Sequence, residues 1–299
     1  MKFKIGFWNV NGLGKEKYQN DDFFDIVKQY DILCMTETWR KDGSTNPPAP
    51  KGYKGKYHNR KIKHAKAKRS SGGILILYKT ELHDHIKVVN NKDENIWIKI
   101  NKTFPGLQTD LLLGTVYMSP KDSKINKHAS ATDTLEVLYD QIASFPEQEH
   151  IIVGGDFNAR IGNLSGRVTE DTNLPGFGNT DTGAVLLTDK VNDISIRERV
   201  SEDKKINTQG SDFAEFCTST DLCILNGRTI EDLGGKYTYV GQNGCSTVDF
   251  ALSSENATKT SFLRSFKVEE LNIFSDHRPI TVSLEKKTSL GKRWSKISK

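Results

Sequence analysis

Apolar positions along the chain follow two rhythms, one of strands and one of helices. Residues 2–10 (KFKIGFWNV) open with a strand-like run rich in apolar and aromatic side chains. Asp21 and Asp22 then precede Phe23, Ile26, Val27 and Tyr30, whose spacing makes one face of a helix. A second strand, DILCMTE, ends at Glu37, and GILILY (73–78), NIWIKI (95–100) and LLLGTVY (111–117) add β-rich segments. Leu135, Leu138, Ile142 and Phe145 mark another amphipathic helix, which stops before Pro146. The buried strand HIIVGG (150–155) follows at once. Residues 160–210 are polar and Gly-rich and read as a long surface excursion. Phe213, Phe216 and Cys217 with Thr220 predict a short helix capped by Ser211. CILN (223–226), YTYV (237–240), TVDFAL (247–252), FLRSFKV (262–268) and ITVSLE (280–285) complete the strands.

Strands outnumber helices, and helices recur between them. Two packed β-sheets with helices on their outer faces fit this order best. No internal repeat interrupts it. In such a sandwich, Asn9, Glu37, Tyr117, Asp156, Asn158, Asp249, Asp276 and His277 all fall at strand ends. Ends on one rim converge in space, which is where a site belongs.

Composition narrows the picture. The 299 residues, 35% hydrophobic and 27% charged, suffice for a large core in one domain, placed at residues 1–285. No run of about 18 apolar residues occurs, so no membrane helix is expected. The N-terminus lacks the apolar run and cleavage site of a signal peptide. Cys34, Cys217, Cys223 and Cys245 show no metal-ligand pairing and read as buried thiols of a reducing compartment, nucleus or cytoplasm. The net charge of +5 is uneven: residues 51–69 carry nine Lys or Arg and no acid. That stretch, with Arg60, Lys61, Lys63, Lys66, Lys68 and Arg69 at its heart, suits a polyanion such as nucleic acid. A solvated loop serving solubility is the equal alternative. Residues 286–299 form a basic tail, consistent with a domain excised from a longer polyprotein.

Four segments could carry chemistry. GGDFN (154–158) sets Asp156 and Asn158 two apart after a very apolar strand, so in extended geometry both face the same way. Asp156 could take a proton from water that Asn158 holds, although an ordinary Asx turn has the same sequence. FSDHRP (274–279) places His277 where it could bind or protonate a phosphate oxygen if a carboxylate fixes its tautomer. Asp249 is the candidate partner, at the start of a strand expected to neighbour this one; a plain polar turn before Pro279 is the alternative. Glu37 is a single strand-end carboxylate, the kind of ligand Mg²⁺ takes with waters. The chain has no His/Cys cluster at zinc spacing.

Taken together, WNVNG, TETW, VYMSP, GGDFNARIG, ILNGR, STVDF and FSDHRPI resemble the endonuclease/exonuclease/phosphatase superfamily, in the family's order and across nearly the whole chain. Within it, TETW, SGGILILY after a basic loop, and CILNGR followed by YTYVG most resemble the endonuclease domain of non-LTR (LINE-type) retrotransposons. The resemblance implies a DNase I-like α/β four-layered sandwich and a Mg²⁺-dependent DNA endonuclease, with Mn²⁺ substituting. It makes Glu37 the metal ligand, with Asn9 and Asp276 nearby. Asp156 would activate water, Asn158 orient it, Tyr117 touch the scissile phosphate, and His277, oriented by Asp249, stabilise it. Thr238 and Ser246 align with polar residues near bound DNA. Nicks would carry 3′-hydroxyl and 5′-phosphate ends. A nuclear protein, double-stranded DNA as substrate and a linked reverse transcriptase are the implied setting. Abasic-site repair enzymes of the superfamily usually have Asp where this chain has Asn11, and a Trp-Arg-Leu-Asp-Tyr where it has Ser246–Phe250. An abasic endonuclease, another phosphoesterase of the fold, and a decayed DNA-binding module are the alternatives.

Overall fold

A computed structural model describes residues 2–40, 42–43, 45–59, 71–92, 94–107, 109–121, 134–164, 198–242, 244–259 and 262–285. The basic residues Arg60 to Arg69, the centre of the 160–210 excursion and the tail 286–299 lie outside these.

Two six-stranded sheets make the body. The first orders β13 (Leu263–Val268), β14 (Ile280–Glu285), β1 (Lys2–Asn9), β2 (Ile32–Thr36), β4 (Ile74–Lys79) and β3 (Tyr53–His58). The second orders β5 (Ile86–Lys92), β6 (Asn95–Ile100), β7 (Leu111–Tyr117), β8 (His150–Asp156), β12 (Asp249–Ser254) and β9 (Leu222–Ile224). A hairpin of β10 (Tyr239–Gly241) and β11 (Gly244–Ser246) stands apart. The helices are α1 (Lys15–Tyr18), α2 (Asp21–Val27), α3 (Thr134–Ala143), α4 (Thr208–Ser219) and α5 (Glu255–Lys259).

Strand periodicity explains the layering. Phe3, Ile5 and Phe7 of β1 and Ile32 and Cys34 of β2 meet Ile96, Ile98, Leu111 and Leu113 of the other sheet in a shared core. The alternate residues Trp8, Leu33 and Met35 face outward and pack with Phe23 and Val27 of α2. On the far side Trp97, Leu112 and Val153 pack with Leu138 of α3 and Phe213 and Cys217 of α4. Both faces of each central strand are covered, so these strands read as continuous apolar runs. This is the expected four-layered sandwich of the DNase I-like type.

Several details differ from the sequence reading. Six residues of the presumed basic loop, Tyr53–His58, are the edge strand β3, in which Tyr53 and Tyr57 lean on the outer core. Lysines on such an edge discourage pairing with another chain. Helix α4 starts earlier than expected: Asn207, not Ser211, caps it by accepting from the Gly210 amide at 2.7 Å. The excursion after residue 160 is not all surface, because Arg199, Ser201 and Asp203 return to buried positions. Asp203 accepts from Arg160 at 2.8 and 2.6 Å and from the Thr247 amide at 3.0 Å. Cys245 is exposed, whereas Cys34, Cys217 and Cys223 are buried.

β1 and β2 run parallel, as do β7 and β8, while β12 and β14 run against them. The ends of the first four and the starts of the last two therefore share one rim of the sandwich.

Candidate active site

The rim holds a pocket of about 150 Å³ whose lining includes Asn9, Glu37, Tyr117, Asp156, Asn158, Asp276 and His277. Two facing Asx turns form its floor. At the end of β1, the Asn9 Oδ1 accepts from the Asn11 amide at 2.9 Å; at the end of β8, the Asp156 Oδ1 accepts from the Asn158 amide at 2.9 Å. The two turns are joined across the sheets, since Asn9 Nδ2 donates to Asp156 Oδ2 at 2.8 Å. The Asx turn and the site are one construction here. Asn158 does not reach the pocket through extended geometry, as its spacing predicted, but through a left-handed residue with φ +48°. Phe157 between them is fully buried against Phe213 and Phe250. Gly155 makes the close approach of β7 possible: a Cβ there would lie 2.0 Å from the Val116 carbonyl oxygen. Tyr117 pairs in register with Asp156 and so ends at the same level.

His277 is held from several sides. Ser275 Oγ donates to the Asn9 carbonyl at 2.7 Å and accepts from the His277 amide at 3.1 Å. Trp8 Nε1 donates to the His277 carbonyl at 2.9 Å. The ring's Nδ1 lies 2.8 Å from Asp249 Oδ2, leaving Nε2 for the pocket. Asp249 is the partner foreseen, but not as a strand neighbour: β12 belongs to one sheet and β14 to the other, so the pair closes across the sandwich. Thr238, fully buried, accepts from the amides of Val248 (3.1 Å) and Asp249 (3.0 Å) and so holds the backbone that carries this carboxylate. Ser246 sits half-buried on β11, its carbonyl accepting from the Thr238 amide at 3.0 Å.

Charge sets the protonation states. Burial, and then the charge of Asp249, push the Asp156 carboxyl up to about 7, against the opposing pull of His277 and the Asn158 and Asn9 donors. Burial is the largest influence on His277 and opposes its charge, yet Asp249, Asp156 and Asp276 outweigh it and hold the imidazole up to about 9. The site thus pairs a near-neutral base with a cationic histidine.

Ligand atoms of Asp156, Asp249 and His277 all lie within 4.8 Å of one another. With Nδ1 engaged by Asp249 and all three buried, this trio reads as an acid–base cluster. A hard cation fits better beside it. Glu37 Oε2 accepts from Trp39 Nε1 at 2.5 Å and from the Gly72 amide at 3.0 Å, and Oε1 is left to the pocket. Asp276, which accepts from Asn11 Nδ2 at 3.1 Å, and the Asn9 amide add oxygen donors. One or two carboxylates among oxygens and waters is the donor set Mg²⁺ takes.

Asn11, Trp39, Gly72 and Ser275 carry no role in the sequence reading. Their signal is spatial: Asn11, Gly72 and Ser275 bond to site residues of other segments, and Trp39 bonds to Glu37 across its own turn. Arg60, Lys61, Lys63, Lys66, Lys68 and Arg69 fall outside the described residues.

A two-sheet sandwich with an acid, an amide and a carboxylate-bound histidine at one rim defines a phosphoesterase. The model of the Endonuclease/Exonuclease/phosphatase family matches residues 6–277, and the chain belongs to that family. Solved structures share the fold at low identity. The AP endonuclease LMAP from Leishmania major superposes with a TM-score of 0.65 at 14% identity, over 95% of this chain and 87% of that one. The 3′ phosphatase NExo from Neisseria, solved with a product DNA hairpin, gives 0.59 at 16% identity, over 95% and 99%. The endonuclease domain of TRAS1, a telomere-specific non-LTR retrotransposon, gives 0.58 at 14% identity, over 96% and 99%. A search of curated proteins finds no significant match.

Proposed function

We propose that this chain is a Mg²⁺-dependent endonuclease that nicks duplex DNA, in the manner of a retroelement opening its target site. One observation carries the reading: Asp156 and the Asp249–His277 pair converge from two sheets on a pocket that also holds Glu37. Asp156, poised near neutrality, takes a proton from the attacking water as the new oxygen–phosphorus bond forms. Asn158, anchored by its Nδ2 to the Met118 carbonyl at 2.8 Å, keeps its amide oxygen for that water. Protonated His277 and the Tyr117 hydroxyl meet the charge developing on phosphate oxygens. The bond from phosphorus to the 3′ oxygen breaks, and solvent protonates that oxygen, giving 3′-hydroxyl and 5′-phosphate ends. Glu37, Asn9 and Asp276 would hold Mg²⁺, or Mn²⁺ in its place, which supplies Lewis-acid stabilisation of transition-state charge when bound.

The substrate class draws support from the nucleases among the structural neighbours and from the basic run 51–69. A retroelement role, a linked reverse transcriptase and a nuclear location belong to the same proposal. The AP endonucleases among those neighbours favour a second reading, abasic-site cleavage. Against it stand Asn11 and Ser246, where repair enzymes usually have an aspartate and the bulky ring of a tryptophan. Supercoiled plasmid incubated with the protein and Mg²⁺ tests the proposal. Nicked circles with ligatable ends, abolished by EDTA, are expected; binding without nicking would leave a DNA-binding module instead.

A further inference from the structure

Among the described residues, five non-glycine residues have positive φ, and four of them line the pocket: Asn11 (45°), Glu37 (56°), Trp39 (55°) and Asn158 (48°). Asparagine enters this region readily, whereas tryptophan does so rarely. A left-handed tryptophan two residues after a left-handed glutamate therefore marks a conformation that the surroundings enforce. The enforcement is visible. Gly12 and Leu13 donate to the carbonyls of Glu37 (2.8 Å) and Thr38 (3.1 Å), while the amides of Thr38 and Trp39 donate to Gly73 (3.2 Å) and Gly72 (2.9 Å). The Glu37–Trp39 turn is thus gripped from both sides. Its indole lies against Gly12, where a Cβ would come within 2.3 Å of the ring. That placement brings Nε1 to Glu37 Oε2 at 2.5 Å.

We infer that Trp39 is a positioning residue for the metal ligand Glu37. Two N–H groups, those of Trp39 and Gly72, fasten one carboxylate oxygen and so turn the other, Oε1, towards the cation. A ligand held this way loses no rotamer freedom when the ion arrives. Donors that orient a ligating carboxylate typically shift metal affinity by about 10–100-fold. The inference rests on Glu37 being the ligand, as proposed above.

The experiment measures metal directly, without DNA. Mn²⁺ is titrated into wild type, Trp39→Phe and Glu37→Gln, and free ion is counted by its paramagnetic resonance signal. Trp39→Phe keeps an aromatic ring against Gly12 but loses the donor. It should bind Mn²⁺ about 10–100-fold more weakly while keeping the wild-type circular dichroism and melting temperature in EDTA. Its nicking should return to the wild-type plateau when Mg²⁺ is raised in proportion, a rescue that simple damage to the fold would not show. If the phenylalanine variant does not fold, β-(3-benzothienyl)alanine at position 39 carries the same test, with sulfur in place of N–H. Wild-type Mn²⁺ affinity in either protein, with Glu37→Gln weakened, overturns the role of Trp39 alone. Wild-type affinity in Glu37→Gln overturns the ligand reading and this inference with it.

Discussion

Replacing Asp249 with Asn removes a charge from the centre of the site and little else. The side chains are the same shape, the position is buried, and an amide oxygen can still accept from His277 Nδ1 across 2.8 Å. What changes is the field on the imidazole. Burial opposes the charged ring most strongly, and Asp249 is the first of the groups that overcome it to hold the histidine up to about 9. Without that carboxylate only Asp156 and Asp276 still oppose burial, and the ring should fall towards its ordinary value of 6.5. At about pH 7.5 the cationic fraction then drops from about 97% towards about 9%, the fraction for a value of about 6.5. The loss of population alone slows a step that needs histidinium by up to about tenfold, and lost alignment adds to it, towards about 10²–10⁴-fold for a full acid–base contribution. Initial rates of plasmid nicking across pH 5.5–9, with the ring titrated by NMR in parallel, separate the two parts. The variant should recover towards wild type as pH falls below 6.5. Nicking within threefold of wild type at pH 7.5, or a ring that still titrates near 9, would refute the argument.

Asp156→Asn keeps only one of the two bonds, to Asn9 or to the Asn158 amide, because its NH2 cannot accept, and it loses the base; nicking should fall by at least about 10² with DNA affinity retained, and a near-normal rate would remove Asp156 from the mechanism. Preference for a duplex with one abasic site over its intact counterpart should be slight in initial rates, and a preference of about a thousandfold would make this a repair enzyme. Metal-free protein should lose stability as pH rises. The raised His277 value contributes fully below about 6.5 and is lost as pH climbs through about 9, while ionising Asp156 against its burial costs stability from about pH 4 up to about 7. Denaturant midpoints in EDTA should therefore fall from pH 6.5 to 9 more steeply in wild type than in His277→Asn; equal slopes would contradict this.

The strand-end residues were legible because periodicity alone places them: runs such as ILCMTE and HIIVGGD can end only at a rim when both faces are buried. Asn9, Glu37, Tyr117, Asp156, Asp249 and His277 follow from that. What the sequence hid is how they meet. The Asp249–His277 contact crosses between sheets, and nothing in STVDF or FSDHRP distinguishes facing strands from neighbouring ones. β3 was hidden by its lysines, although Tyr53, Gly55 and Tyr57 alternate with Lys54 and Lys56 as an edge strand should. β5 was hidden by Val89, an apolar residue at an exposed position that interrupts the alternation of its sequence. The cap of α4 was misplaced because Asn207 and Ser211 are both good caps, and only the bond to Gly210 chooses between them. Trp39 stood in a motif but without a role, since a donor to Glu37 arises from left-handed backbone that no spacing rule expresses.

That backbone has a thermodynamic signature. Left-handed non-glycine residues cost about 1–3 kcal/mol each, least for asparagine. The pocket holds four of them, supported by cores on both sides of each sheet. Asn158 allows the strain and the chemistry to be separated. Asn158→Gly and Asn158→Ala both remove the amide and its 2.8 Å bond to the Met118 carbonyl, so both should lose nicking by about 10² or more. They differ only in backbone. Glycine adopts φ +48° without strain, whereas alanine there keeps a Cβ against its own carbonyl at a cost of about 1 kcal/mol. Urea unfolding should thus find the glycine variant the more stable of two equally inactive proteins, by about that amount. An alanine variant as stable as the glycine one would mean that the pocket relaxes at Asn158 and stores no strain there.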